Sequence, residues 1–200
     1  MDNVNAKVTT PLPLQGKEIC EIEEACDETL YRGAIGSLMF LSTTTRPDIS
    51  FSLCKLSQKC SNPSMTDWNN VLHLLCYIKR TGKKGLCYRK SGKQVEMYVD
   101  SDWASEPSDR KSVSGLVVLL GGGSVIWHSR KQQRVTTSTQ HAEFMALKDI
   151  CKESMWLRNL LWELGCDTFM KVPLIRVPFF NVREMILLPK ISTLQLISIL

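Results

Sequence analysis

The chain has eight cysteines but no C-x-x-C pair among them. Cys20, Cys26, Cys54, Cys60, Cys76, Cys87, Cys151 and Cys166 are interleaved with helix-like and strand-like patterns. That argues against a disulfide framework or a zinc finger and leaves them as small apolar residues of a reducing compartment. An apolar leader is also missing: the N-terminus carries Asp2, Lys7, Pro11 and Pro13, so no signal peptide is expected and the chain reads as intracellular, in cytoplasm or nucleus. A membrane span is not expected either, because Arg183, Glu184 and Lys190 interrupt the apolar C-terminal segment and the final uncharged run is too short. The excess of positive charge is small, +5 over 200 residues, which permits nucleic-acid binding without demanding it. That length suffices for one domain with a core, or for a small domain and part of another.

Residues 1–27 show no sustained period and read as an extended arm or linker. From Glu28 to about Leu41 the apolar residues Leu30, Ala34, Ile35, Leu38, Met39 and Leu41 recur at helical spacing, and Thr43-Thr44-Thr45 breaks the pattern. Asp48 after Pro47 can open a second helix reaching about Cys60, and Ser64 or Thr66 can cap a third that carries Trp68, Val71, Leu72, Leu75 and Ile78. Lys79-Arg80 suits the C-terminal end of its dipole, and Gly82 stops it.

Beyond Gly82 the apolar period changes to two. Leu86–Arg89 reads as a short strand, Val95, Met97 and Val99 alternate up to Asp100, and Val113–Leu120 returns through Gly121-Gly122-Gly123 to Val125-Ile126-Trp127. A polar stretch from Ser129 to Gln133, a short strand at Val135 and a long helix from Thr139 to Leu164 complete the pattern. Ser138 is the candidate N-cap of that helix and Gly165 its stop. The segment from about Lys171 keeps no clean period and holds Pro173, Pro178 and Pro189, so residues 166–200 read as a divergent, poorly specified tail.

Two carboxylates stand out. Asp100 ends an alternating strand and Glu143 lies in the first turns of the long helix, a pair offered by two rigid elements. Hard, anionic oxygens converging from separate elements are what a Mg²⁺ ion takes. The competing account is that Asp100 terminates its strand and Glu143 sits favourably near a helix N-terminus. Asp102 is either a further ligand or, by preference, the polar entry to the turn before Trp103. His73 falls on an apolar helix as a core or boundary residue, and His141 and His128 receive no chemistry. Arg110, Lys111, Arg130 and Lys131, with Arg134, bracket the same end of the sheet and could hold a phosphate backbone, or form ordinary solvated loops. Trp103 and Trp127 could stack on bases or belong to the core.

The ordered series Tyr31-Arg32, Ile35-Gly36-Ser37-Leu38-Met39-Phe40-Leu41, Thr45-Arg46-Pro47-Asp48-Ile49 and Tyr77-Ile78-Lys79-Arg80-Thr81 resembles the end of the reverse transcriptase region of Ty1/copia-type retrotransposon Pol polyproteins. Tyr98-Val99-Asp100-Ser101-Asp102-Trp103-Ala104, Asp109–Gly115, Ile126–Gln132 and Ser138–Phe144 resemble the ribonuclease H domain that follows it. The series runs over roughly residues 7–165. The resemblance implies an α/β (α+β) fold, a ribonuclease H-like mixed sheet, incomplete, in 83–165, preceded by a small helical remnant of the reverse transcriptase in 28–82. It also implies Mg²⁺-dependent hydrolysis of RNA in RNA/DNA hybrids, with Asp100 and Glu143 as catalytic metal ligands, and partners among nucleic acids and other Pol parts. The third and fourth acidic ligands of that family do not appear: Asp167 comes too early, no aspartate follows it, and Glu184 is the only later acid. Little or no turnover is the expectation.

Overall fold

The computed structural model describes residues 8–13, 24–90, 94–105, 109–166 and 174–176. The chain divides into two compact units, Met1–Gly85 and Leu86–Leu200.

The first unit is helical. Helix α1 (Glu28–Thr44) is capped by Asp27, whose carboxylate accepts from the backbone N–H groups of Thr29 and Leu30. It runs past the predicted end near Leu41, because the hydroxyls of Thr43 and Thr44 bond back to the carbonyls of Met39 and Phe40 instead of breaking the helix. A single 3-10 turn (Pro47–Ile49) then precedes α2 (Ser50–Ser57), so the second predicted helix is shorter at both ends than expected. Helix α3 (Met65–Arg80) starts at Ser64 with a reciprocal capping box to Asp67. Tyr31, Ile35, Leu38, Ile49, Leu53, Leu56, Val71, Leu74 and Tyr77 form the shared core. His73 is a boundary residue, its Nε2 3.0 Å from the Thr10 carbonyl.

The second unit is a mixed sheet with one long helix. Strands β1 (Glu96–Asp102), β2 (Val113–Leu120), β3 (Gly123–Lys131) and β4 (Leu174–Arg176) stand in the order β3-β2-β1-β4. The first three are antiparallel and β4 runs parallel to β1, which is the α+β fold class expected. Helix α4 (Thr139–Glu163) starts at Ser138, whose Oγ accepts from the His141 N–H, and is followed by Gly165 at φ 69°. Val95, just before β1, Met97 and Val99 of β1, and Leu116 and Val118 of β2 pack against Ala146, Ile150, Leu157 and Leu161 of α4. Alternation puts Tyr98 and Val117 on the opposite face, with Leu119 and Trp127 against them.

Three expectations are corrected. Leu86–Arg89 forms no strand; the segment is held by a bond from the Arg89 N–H to the Gly121 carbonyl and one from the Tyr88 hydroxyl to the Ser124 carbonyl. Val135 forms none either and is exposed. The polar run from Ser129 is not a loop, since β3 continues through Lys131 with Val113 as its partner. Polar side chains are compatible with a terminal strand that is only partly covered. Apart from β4, for which the sequence pattern offered no signal, the tail from Lys171 lies outside the described residues, as does most of the arm before Glu28.

Candidate functional site

Asp100 lies near the end of β1, opposite Gly115 of β2, which in turn faces Ser129 of β3. The residue is 8% exposed. Its Oδ1 accepts from the Ser101 N–H at 2.8 Å, while its Oδ2 is buried without any hydrogen-bond partner. Burial first, and then the charges of Glu143 and Asp102, push the carboxyl up to about 6 against the opposing effect of the Ser101 bond. Glu143, in the second turn of α4, is exposed. The two predicted ligands are therefore within electrostatic reach of one another. Asp102 shares the Asp100 face of β1 by alternation.

An acceptor with no donor, buried beside two other negative charges, is a poor arrangement for stability and a good one for a cation. The donor set is hard oxygen only, which fits Mg²⁺, an ion commonly held by one or two carboxylates with water and substrate phosphate completing the shell. Among the described residues no group of three or more His, Cys, Asp or Glu side chains is placed to hold a metal.

A polar network joins the turn after β1, the start of β2 and the connection into α4. Trp103 Nε1 donates to the Thr136 carbonyl at 3.1 Å, the Ala104 N–H donates to Ser112 Oγ, and Ser112 Oγ lies 2.9 Å from Thr136 Oγ1. Gln132 is 8% exposed and donates through Nε2 to Ser114 Oγ at 2.7 Å and to the Ala142 carbonyl at 3.0 Å. The sequence gives no sign of Gln132, Ser112, Ser114 or Thr136, because a polar residue in or beside a strand end carries no signal of burial on its own.

The basic residues do not form one surface. Lys111 and Lys131 both reach Asp109, at 3.5 and 3.0 Å. Arg110 is exposed at φ 55°, and Arg130 is exposed on β3. As successive strand residues, Arg130 and Lys131 lie on opposite faces of the sheet. Arg134 is exposed in the connection to α4. Trp103 is 41% exposed, whereas Trp127 packs against the Tyr98 and Val117 cluster. His128 is pushed down to about 4, chiefly by burial and secondarily by Arg130, with Asp149 opposing, and so stays neutral at neutral pH.

A helical unit, and a second unit with one long helix on a mixed sheet in which β4 runs parallel to β1, define an α/β (α+β) chain. The comparisons with known proteins specify it further. The chain is 33% identical over 196 residues to the Retrovirus-related Pol polyprotein from transposon TNT 1-94 of Nicotiana tabacum, a match covering 90% of this chain and 15% of that protein. It is 34% identical over 168 residues to the Pol polyprotein from transposon RE2 of Arabidopsis thaliana, covering 78% of this chain and 12% of that one. A third relative, Secreted RxLR effector protein 161 of Plasmopara viticola, is 38% identical over 128 residues, 64% of this chain and 90% of that protein. Over most of its length the chain is thus similar to Pol polyproteins of copia-type retrotransposons. It corresponds to a minor share of the length of those polyproteins. No family model and no solved structure matches it. Among the described residues no helix is long and apolar enough to cross a membrane.

Proposed function

We propose that the second unit is the opening portion of a ribonuclease H domain and that the helices of residues 28–82 are the end of the preceding reverse transcriptase region. The observation that carries this reading is the buried Asp100 Oδ2, unpartnered and flanked by the charges of Glu143 and Asp102. Asp100 and Glu143 would hold one Mg²⁺, which when bound supplies charge neutralisation at a phosphodiester and a more acidic water. The chain's own part is to keep Asp100 buried near the end of an inner strand and to hold Glu143 within electrostatic reach of it. Arg110, Lys111 and Lys131 would contribute to backbone binding of an RNA/DNA hybrid, Lys111 and Lys131 while sharing Asp109, whereas Arg130 lies on the face opposite Lys131 and could add to it only from there.

Hydrolysis by this chain is expected to be slight or absent. The family pattern uses four acids, and past Asp167 this sequence offers only Glu184. Loss of a supporting outer-shell group typically costs roughly 10–100-fold in metal affinity or activity, and two direct ligands should cost at least that. A labelled hybrid incubated with Mg²⁺ tests the reading: salt-sensitive binding with no cleavage above that of the Asp100→Asn variant is expected. Mg²⁺-dependent cleavage abolished by that substitution would overturn the inactivity, and neither binding nor cleavage would overturn the reading as a whole.

A second reading, a non-catalytic binding module, is favoured by one comparison. The match to RxLR effector protein 161 takes in 90% of that protein, so a stretch like this one exists outside a polyprotein. Hybrid binding that survives Asp100→Asn and needs no divalent ion would favour it.

A further inference from the structure

We infer that Gln132 is a positioning residue, one that fixes the Glu143 turn of α4 against the strand pair carrying Asp100. The inference rests on the carboxylate-pair reading above. Gln132 sits just beyond β3, 8% exposed, and its backbone N–H donates to the Ser112 carbonyl at 2.8 Å, which anchors the residue to the start of β2. Its side-chain amide then spans two elements. One Nε2 proton goes to Ser114 Oγ on β2 and the other to the carbonyl of Ala142, the residue immediately before Glu143.

Each end of this link is one step from a carboxylate. Ser114 lies opposite Ser101 in the β1–β2 ladder, and the Ser101 N–H donates to Asp100 Oδ1 at 2.8 Å. Ala142 is buried, so its carbonyl fixes the backbone from which Glu143 projects. The amide has only one useful orientation, because a carbonyl can only accept and the flipped amide would set oxygen against oxygen. Gln132 Oε1 is left buried without a partner, an arrangement that packing alone does not favour.

The test is Mn²⁺ binding to the full chain, followed through the free-ion EPR signal, with thermal unfolding of the metal-free protein as the control for folding. Native protein should bind Mn²⁺ at a site lost in Asp100→Asn and in Glu143→Gln. Gln132→Met keeps the bulk but removes both donors, and should weaken Mn²⁺ binding about tenfold at temperatures where the variant is fully folded. A merely structural role would lower the unfolding temperature and leave that affinity alone, and an unchanged affinity overturns the inference. Should Gln132→Met fail to fold, Ser114→Ala cuts the strand end only; weakened Mn²⁺ binding supports the link and unchanged binding overturns it. If the native chain binds no Mn²⁺, or Asp100→Asn binds as well as native, the carboxylate-pair reading falls and the inference falls with it.

Discussion

Each unit draws an aspartate largely out of solvent, and the two are treated in opposite ways. In the first, burial pushes the Asp48 carboxyl up, but hydrogen bonds from Arg46 and Tyr77 more than compensate and hold it below the usual range. Arg46 grips it with two donors at 2.9 and 2.8 Å, Tyr77 adds a third at 2.8 Å, and Arg46 is itself tied to Thr81. In the second, Asp100 has one backbone donor and an oxygen with nothing to accept from. A satisfied buried charge specifies how helices pack; an unsatisfied one points to something the fold is built to receive.

The contrast can be broken first at Arg46. Arg46→Met strands Asp48 in the helical unit and should cost about 3–5 kcal/mol, read as a loss in urea midpoint. The opposite sign is expected at the other aspartate. Folded Asp100 keeps its proton to about pH 6 whereas the unfolded chain releases it near 3.8, so stability falls as pH rises between those values and is level above them. Asp100→Asn removes that fall and should stabilise the metal-free protein by about 3 kcal/mol at pH 7, fading below about pH 4. Equal denaturant midpoints for native and variant at pH 7 would contradict it. The smallest effect compares helix caps. Ser64→Ala dismantles a reciprocal box with Asp67 and should cost about 1 kcal/mol, whereas Ser138→Ala loses one 3.2 Å bond and should cost about half as much. Thermal melts of both variants check the ranking.

Periodicity made the elements legible, and the buried faces only in part. Val95, Met97 and Val99 are buried as their alternation expects, as are Ile35, Leu38 and Val71, but Leu30, Met39, Leu72 and Leu75 are exposed, and Tyr31, Leu74 and Tyr77 fill the helical core in their place. Asp100 and Glu143 were visible for the same reason, each at a readable position on a regular element. What the pattern hid was context. Ser129, Arg130 and Lys131 look like a loop because a strand with one neighbour needs few apolar side chains, and only pairing with β2 reveals them as β3. Gln132 was hidden more completely: an amide between strand and helix acquires meaning only from the Ser114 hydroxyl and Ala142 carbonyl that fold up beside it.

The β2–β3 turn has its own consequence. A side chain at Gly123 would meet the Tyr88 ring at 2.5 Å and the Cys87 carbonyl at 2.8 Å, and one at Gly121, φ 60°, would meet the Arg89 carbonyl at 2.9 Å. Between them Gly122, φ 78°, has nothing within 4 Å. Substitution along this tripeptide should therefore follow a closed, open, closed rhythm, with asparagine accepted in the middle and even alanine rejected on either flank.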